Sequence, residues 1–193
     1  LGAVGGPKWD NTEAEFRPEQ GILKLRKSLE VWANLRPVKT YPSIYQCSPV
    51  KSRVLNNVDF IVLRELTGGL YFGEKSRRTV DGVEQAVDVL EYKDYEIRRI
   101  VELAFKIARG RKKKVTSIDK ANVLESSRLW RKIANESAQK NSDVELSHML
   151  VDTASMRLIT SPSVFDILVT ENMFGDILTD ESSVLTGSMG VLP

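Results

Sequence analysis

The strongest constraint on the fold is an alternation. Segments of helical period take turns with short apolar runs, and each run breaks into polar residues. The runs are Asp59-Phe60-Ile61-Val62-Leu63, Val115-Thr116-Ser117-Ile118, a stretch from Val144 to Val151, and Asp166 to Val169. Their length and bounding residues fit buried strands better than helices. A helix is predicted over Asp94–Ala108, where Ile97, Ile100, Val101, Ala104, Phe105 and Ala108 share one stripe. Others are predicted over Ser127–Ala138, near Ala154–Ile159, and from about Asn172 to Val184. Upstream, Ile22, Leu25, Leu29, Trp32 and Ala33 keep helical spacing from Glu19 to Leu35. Pro18 suits the opening turn of that helix and Pro37 closes it. Between Tyr71 and Tyr92 the pattern is polar and irregular, with Val87 and Val89 alternating like one strand of a hairpin, so this stretch is an excursion from the core. Helices alternating with short strands imply a layered α/β domain: a sheet with flanking helices.

Composition excludes several classes. The 193 residues, 41% hydrophobic, suffice for one buried core and pieces of another. The 28 basic and 26 acidic residues leave a formal charge of +2, unlike the strongly basic face of a nucleic-acid binder. A single cysteine, Cys47, forms no internal disulfide and suits a reducing compartment. No apolar run approaches the roughly 20 residues that span a bilayer, and no signal-peptide pattern is present. A soluble, cytoplasmic protein with no nucleic-acid or membrane partner is expected. Leu1-Gly2-Ala3-Val4-Gly5-Gly6-Pro7 reads as a strand end entering a glycine loop, and Gly190-Val191-Leu192-Pro193 as a turn with nothing after it. Truncation at both ends is therefore expected.

The polar residues after the strands carry the candidate chemistry, because sites in open α/β sheets gather at the carboxyl ends of strands. Asp176 and Asp180 are four apart, which on a helix puts both carboxylates on one face about 5–6 Å apart at Cβ. A divalent cation with a taste for oxygen ligands, Mg²⁺ or Mn²⁺, would relieve their repulsion. The same spacing also describes an ordinary solvated helix face. On the first helix Glu19, Ile22, Leu23 and Arg26 fall within an arc of roughly 100°. That arc could hold a ligand with an apolar branch and a carboxylate. Arg36 and Arg64 are further carboxylate-binding candidates, with surface ion pairs as the plainer alternative. Lys120 and Tyr71 are candidates for proton transfer. His148, the one histidine, reads as a packed strand residue. The run Arg109-Gly110-Arg111-Lys112-Lys113-Lys114 reads as a solvated turn complementing a negative helix end.

Taken in order, six segments resemble the β-decarboxylating dehydrogenases, the family of the isocitrate and isopropylmalate dehydrogenases. They are Gly5–Asp10, Arg17–Lys27, Ala33–Pro37, Arg64-Glu65-Leu66-Thr67-Gly68-Gly69-Leu70-Tyr71-Phe72-Gly73, Asp119-Lys120-Ala121-Asn122-Val123-Leu124 and Phe174-Gly175-Asp176-Ile177-Leu178-Thr179-Asp180. The resemblance runs over essentially the whole chain. Isocitrate-specific members place a serine and an asparagine on the first helix; Glu19, Ile22 and Leu23 here are similar to the pocket for an isopropyl branch. An aliphatic branch gains about 0.8 kcal/mol per buried CH₂ against such a face.

The resemblance implies metal-dependent oxidation and decarboxylation of 3-isopropylmalate to 2-oxoisocaproate with NAD, a step of leucine biosynthesis. Arg26, Arg36 and Arg64 would hold the malate carboxylates, and Ile22 and Leu23 the branch. Asp152, Asp176 and Asp180 would bind Mg²⁺ or Mn²⁺. Lys120 would take the hydroxyl proton and Tyr71 would protonate the enol carbon. Glu19 and Asn122 would lie near the nicotinamide. A homodimer with shared active sites is implied, Lys120 and Asp152 serving the partner's site, with an arm at about residues 71–92. Residues 1–31 would be a remnant of the first, cofactor domain, 32–184 the second, dimerisation and substrate domain, and 185–193 the start of the return to the first. The family's adenine-binding His-Gly-Ser-Ala-Pro-like loop does not occur in this sequence, so the isolated chain is expected to be inactive. Another 2-hydroxy diacid (tartrate, malate, homoisocitrate) and a non-catalytic dimerisation module are the competing expectations.

Overall fold

The computed structural model describes residues 18–188. The expectations for both termini and for the segment Gly5–Asp10 lie outside the described residues. The elements in chain order are α1 (Pro18–Ser28), β1 (Ala33–Lys39), α2 (Ser52–Leu55), β2 (Asp59–Glu65), β3 (Lys75–Val80), β4 (Val83–Asp88), α3 (Asp94–Ala108), β5 (Lys114–Asp119), α4 (Glu125–Lys140), β6 (Glu145–Leu150), α5 (Val151–Thr160), β7 (Ile167–Thr170) and α6 (Asn172–Thr186). Two 3-10 turns, Pro42–Cys47 and Pro162–Val164, complete the set among the described residues.

Five strands form one sheet in the order β1-β2-β7-β5-β6. β1 is antiparallel to β2, and the other pairs are parallel. The carboxyl ends of β2, β7, β5 and β6 therefore share one edge with the start of β1. Alternation along the strands divides the core in two. Leu63, Val115, Ile167 and Val169 pack against α3 and α4 through Ile97, Phe105, Trp130 and Ile133. Phe60, Val62, Ile118 and Leu168 pack on the other face against α5 and α6 through Ala154, Leu158, Leu178 and Leu185. β7, buried at every residue, is the centre of this three-layer sandwich. The layered α/β expectation is borne out.

The first predicted helix is too long. α1 ends at Ser28, and Trp32 and Ala33 belong to the approach and start of β1. Val31 N–H donates to the Arg26 carbonyl at 3.0 Å and Glu30 N–H to that of Lys27 at 3.2 Å, with Glu30 left-handed at φ 51°. That is a Schellman closure, with glutamate where glycine is usual. Pro37 sits inside β1 rather than closing a helix; among the described residues β1 has a partner on one side only, where a missing N–H is tolerated. The helix expected at Ala154 begins at Val151, so Asp152 lies in the first turn of α5.

The polar stretch after Tyr71 is the two-stranded hairpin β3–β4, exposed at every strand residue. Gly73 sits at its root, where a Cβ would stand 1.7 Å from the Val89 carbonyl oxygen. The basic turn after α3 does structural work. Arg111 donates to Asp166 at 2.8 Å and to Asp59 at 2.5 Å, joining the starts of β7 and β2. Arg109 pairs with Asp143 at 2.7 Å. Among the described residues no helix is long and apolar enough to cross a membrane.

Candidate active site

Arg64, next to last in β2, is buried, and its guanidinium is taken up on two edges. Nε and Nη2 donate to Asn172 Oδ1 at 3.1 and 2.8 Å, while Nη1 pairs with Asp176 Oδ1. The other Asp176 oxygen accepts from the Tyr71 hydroxyl at 2.6 Å. The guanidinium carbon stands 5.6 Å from the centre of the Tyr71 ring. Residues from β2, the following loop and α6 thus meet at one carboxylate. The α6 backbone must come close for this: a Cβ on Gly175 would lie 2.7 Å from Arg64 Cγ and 3.0 Å from Thr170 Cγ2.

Arg26 and Arg36 join the same cluster. Burial, then the charge of Arg64, push the Arg26 guanidinium below its ordinary value; Asp176 opposes this and Arg36 adds to it. Arg36 lies on β1, two residues from Asn34, which pairs with Arg64 in the sheet register. Its Nε donates to Asn34 Oδ1 at 3.0 Å. Like charges gathered this closely around one carboxylate suit a ligand carrying several negative charges. Burial, then the hydrogen bond to Asp176, push the Tyr71 hydroxyl up to about 12. Tyr71 therefore stays a proton donor at neutral pH.

Ile22 and Leu23 on α1 are half-buried, whereas Glu19 is exposed. Lys120 and Asp152 form a second group at the ends of β5 and β6, where the Lys120 ammonium pairs with Asp152 Oδ1. That bond holds the Asp152 carboxyl below its usual range. The turn carrying Lys120 and the exposed Asn122 is anchored by buried Asp119, which accepts from Arg131 twice at 2.8 Å and from Ala121 N–H at 2.9 Å. His148 sits outside both groups with a ring nitrogen 2.8 Å from Asn135 Oδ1, the packed histidine expected.

The three aspartates expected to share a metal are not gathered within one chain. Asp176 and Asp180 lie one turn apart on α6, whereas Asp152 is with Lys120. Among the described residues no three acidic, histidine or cysteine side chains are grouped to hold a metal ion. Sequence reasoning also left Asn172, Glu65 and Glu171 without roles. Asn172 holds Arg64; Glu65 takes the Thr67 and Gly68 N–H groups at 2.9 and 2.8 Å; Glu171 caps α6 by accepting from Phe174 N–H at 2.7 Å. Glu171 and Asn172 directly follow β7, but only the sheet shows which partners lie opposite them.

The family profile described as isocitrate/isopropylmalate dehydrogenase matches residues 1–193. A 3-isopropylmalate dehydrogenase of Anaeromyxobacter dehalogenans is 67% identical over 100% of the chain, which covers 55% of that protein. One from Bacillus subtilis is 60% identical, with 100% and 53% covered. The chain spans about half the length of these relatives. Among solved structures, isocitrate dehydrogenase from Methylococcus capsulatus superposes with a TM-score of 0.79 at 32% identity, covering 100% of this chain and 52% of that one. The TT0538 protein from Thermus thermophilus gives a TM-score of 0.82 at 32% identity, covering 95% of this chain and 36% of that one.

Proposed function

Because the chain belongs to the isocitrate/isopropylmalate dehydrogenase family, we propose that the protein containing it converts 3-isopropylmalate to 2-oxoisocaproate by oxidation and decarboxylation. NAD is the hydride acceptor, Mg²⁺ or Mn²⁺ the metal, and leucine biosynthesis the setting. One observation carries this reading: Arg64 pairs with Asp176, whose other oxygen holds the Tyr71 hydroxyl, and the charges of Arg26 and Arg36 lie close by. Such a group recognises a dicarboxylate and keeps an acid beside it.

The carboxylates of Asp176 and Asp180 suit a hard divalent cation, and the reading draws Asp152 into the same set from a second copy of the chain. A bound cation would supply polarisation of the substrate oxygen, and a nicotinamide would supply a hydride acceptor. The chain's own residues do the rest. Arg26, Arg36 and Arg64 grip the carboxylates with planar forks. Ile22 and Leu23 face the isopropyl branch, and Glu19 and Asn122 lie near the nicotinamide. Lys120 takes the hydroxyl proton, directly or through water. Tyr71, protonated at neutral pH, returns a proton to the enol carbon.

The active unit in this reading is a cytoplasmic homodimer. Two features support it: Lys120 and Asp152 stand apart from the Arg64–Asp176 group within one chain, and β3–β4 is exposed along its length. Residues 32–184 form the substrate and dimerisation domain, residues 1–31 belong to a cofactor domain, and residues 185–193 lead back to it. The lack of a buried side chain on α1 fits that division.

The test is NAD⁺ reduction by the full-length protein with Mg²⁺ or Mn²⁺, comparing 3-isopropylmalate, isocitrate, malate and tartrate. Preference for 3-isopropylmalate, with a loss of about 10²–10⁴-fold in Lys120→Ala, is expected. Preference for another acid sinks the assignment of Ile22 and Leu23. No reduction with any acid makes the chain a non-catalytic module.

A further inference from the structure

We propose that Asn172 is a positioning residue: it sets the orientation of Arg64 and ties it to the loop that delivers Tyr71. This rests on the dicarboxylate reading above and adds a residue to it. Asn172 is fully buried, and its amide is used at both ends. Its oxygen accepts from Arg64 Nε and Nη2, and Nδ2 donates to the Gly68 carbonyl at 3.1 Å. Its backbone N–H donates to the Tyr92 hydroxyl at 2.9 Å. Gly68 is held from the other side as well, its N–H donating to Glu65 Oε2 at 2.8 Å. The chain from Gly68 to Tyr71 therefore leaves a point fixed on both of its peptide groups.

The residue type matters. A carboxylate at position 172 would add a second negative charge to a guanidinium already paired with Asp176, and would set an oxygen against the Gly68 carbonyl where Nδ2 now donates. An amide oxygen fixes the same edge without adding charge, so among the described residues Asp176 is the one acid that Arg64 is seen to meet. The neighbouring acid, Glu171, is turned away into the α6 cap. A small aliphatic side chain would leave two buried guanidinium N–H groups and the Gly68 carbonyl without their partner.

The experiment uses the full-length protein with wild-type, Asn172→Ala and Asn172→Asp forms, each also with Arg64→Lys. Both single variants should raise KM for the preferred dicarboxylate by about 10–100-fold. KM for NAD⁺ should move less than about twofold, since no cofactor contact is touched. In the Arg64→Lys background Asn172→Ala should add little, because its effect runs through the guanidinium. Equal changes in both KM values, or independent multiplication of the two substitutions, overturns the proposal. Crystals of the Asn172→Ala protein give a readout that needs no turnover: Arg64 should leave Asp176, and an unmoved guanidinium overturns the proposal. Failure of the dicarboxylate reading shows in the wild type; failure of this proposal shows only in the variants. The Asn172→Asp form keeps the side-chain shape and covers the case in which the alanine variant does not fold.

Discussion

At the scale of single residues, the site depends on one absent methyl group. Alanine at Gly175 puts a carbon 2.7 Å from Arg64 Cγ and 2.8 Å from its Cβ. The arginine must then leave Asp176, or α6 must retreat from β2. Gly175→Ala is expected to cut kcat/KM for the dicarboxylate by about 10-fold or more, with a modest loss of stability of about 1–3 kcal/mol. Steady-state kinetics with a urea titration measures both. His148 gives a pH prediction. Burial, then the charge of Arg131, hold its pKa below the ordinary value. Below pH 6.5 the unfolded chain binds a proton at this site that the folded chain resists, so stability falls as pH drops from about 6.5 toward the folded pKa. Above that window the residue contributes no slope. His148→Gln should flatten this part of a denaturation-midpoint-against-pH curve, and an unchanged slope refutes the assignment.

At the scale of elements, the amino ends of the strands are fastened as firmly as the carboxyl ends are functional. Arg111 bridges Asp59 at the start of β2 and fully buried Asp166 ahead of β7. Arg111→Ala leaves Asp166 with only the backbone N–H groups of Lys112 and Lys114, at 2.9 and 3.3 Å. A loss of about 1–3 kcal/mol in a chemical denaturation of the full-length protein is expected, with KM unchanged. The amphipathic helices were legible because their stripes are local: α3 matches its predicted ends, and α6 runs two residues further than expected. β1 was not legible. Trp32 and Ala33 continue the helical period in the sequence, and what breaks it is a left-handed glutamate, which has no strong sequence signal. The site divides the same way. Arg64, Lys120 and Asp176 stand out as polar residues following apolar strands. Asn172 follows a strand too, but an amide acquires its role only from Arg64, 108 positions away in the chain.

At the scale of the whole molecule, the two groups of site residues lie on one edge of one sheet but do not touch. If Lys120 and Asp152 serve a second copy, two inactive variants can repair one another. Lys120→Ala protein mixed with Asp176→Asn protein, after subunit exchange, forms hybrid dimers with one intact site and one doubly damaged site. Recovery of about a quarter of wild-type activity is expected, since half the dimers are hybrids. No recovery under confirmed exchange would put the complete site within a single subunit. The sheet order has a further consequence. The centre strand, β7, is the last strand among the described residues, and its partners β2 and β5 lie one on each side of it. A ribosome therefore releases the pairs β1–β2 and β5–β6 before the strand that joins them exists. Loop closures of this length make folding slow, and open strand edges invite wrong partners. Until Thr170 has emerged, the nascent chain holds two half-sheets with no centre, which is when a chaperone has most to protect.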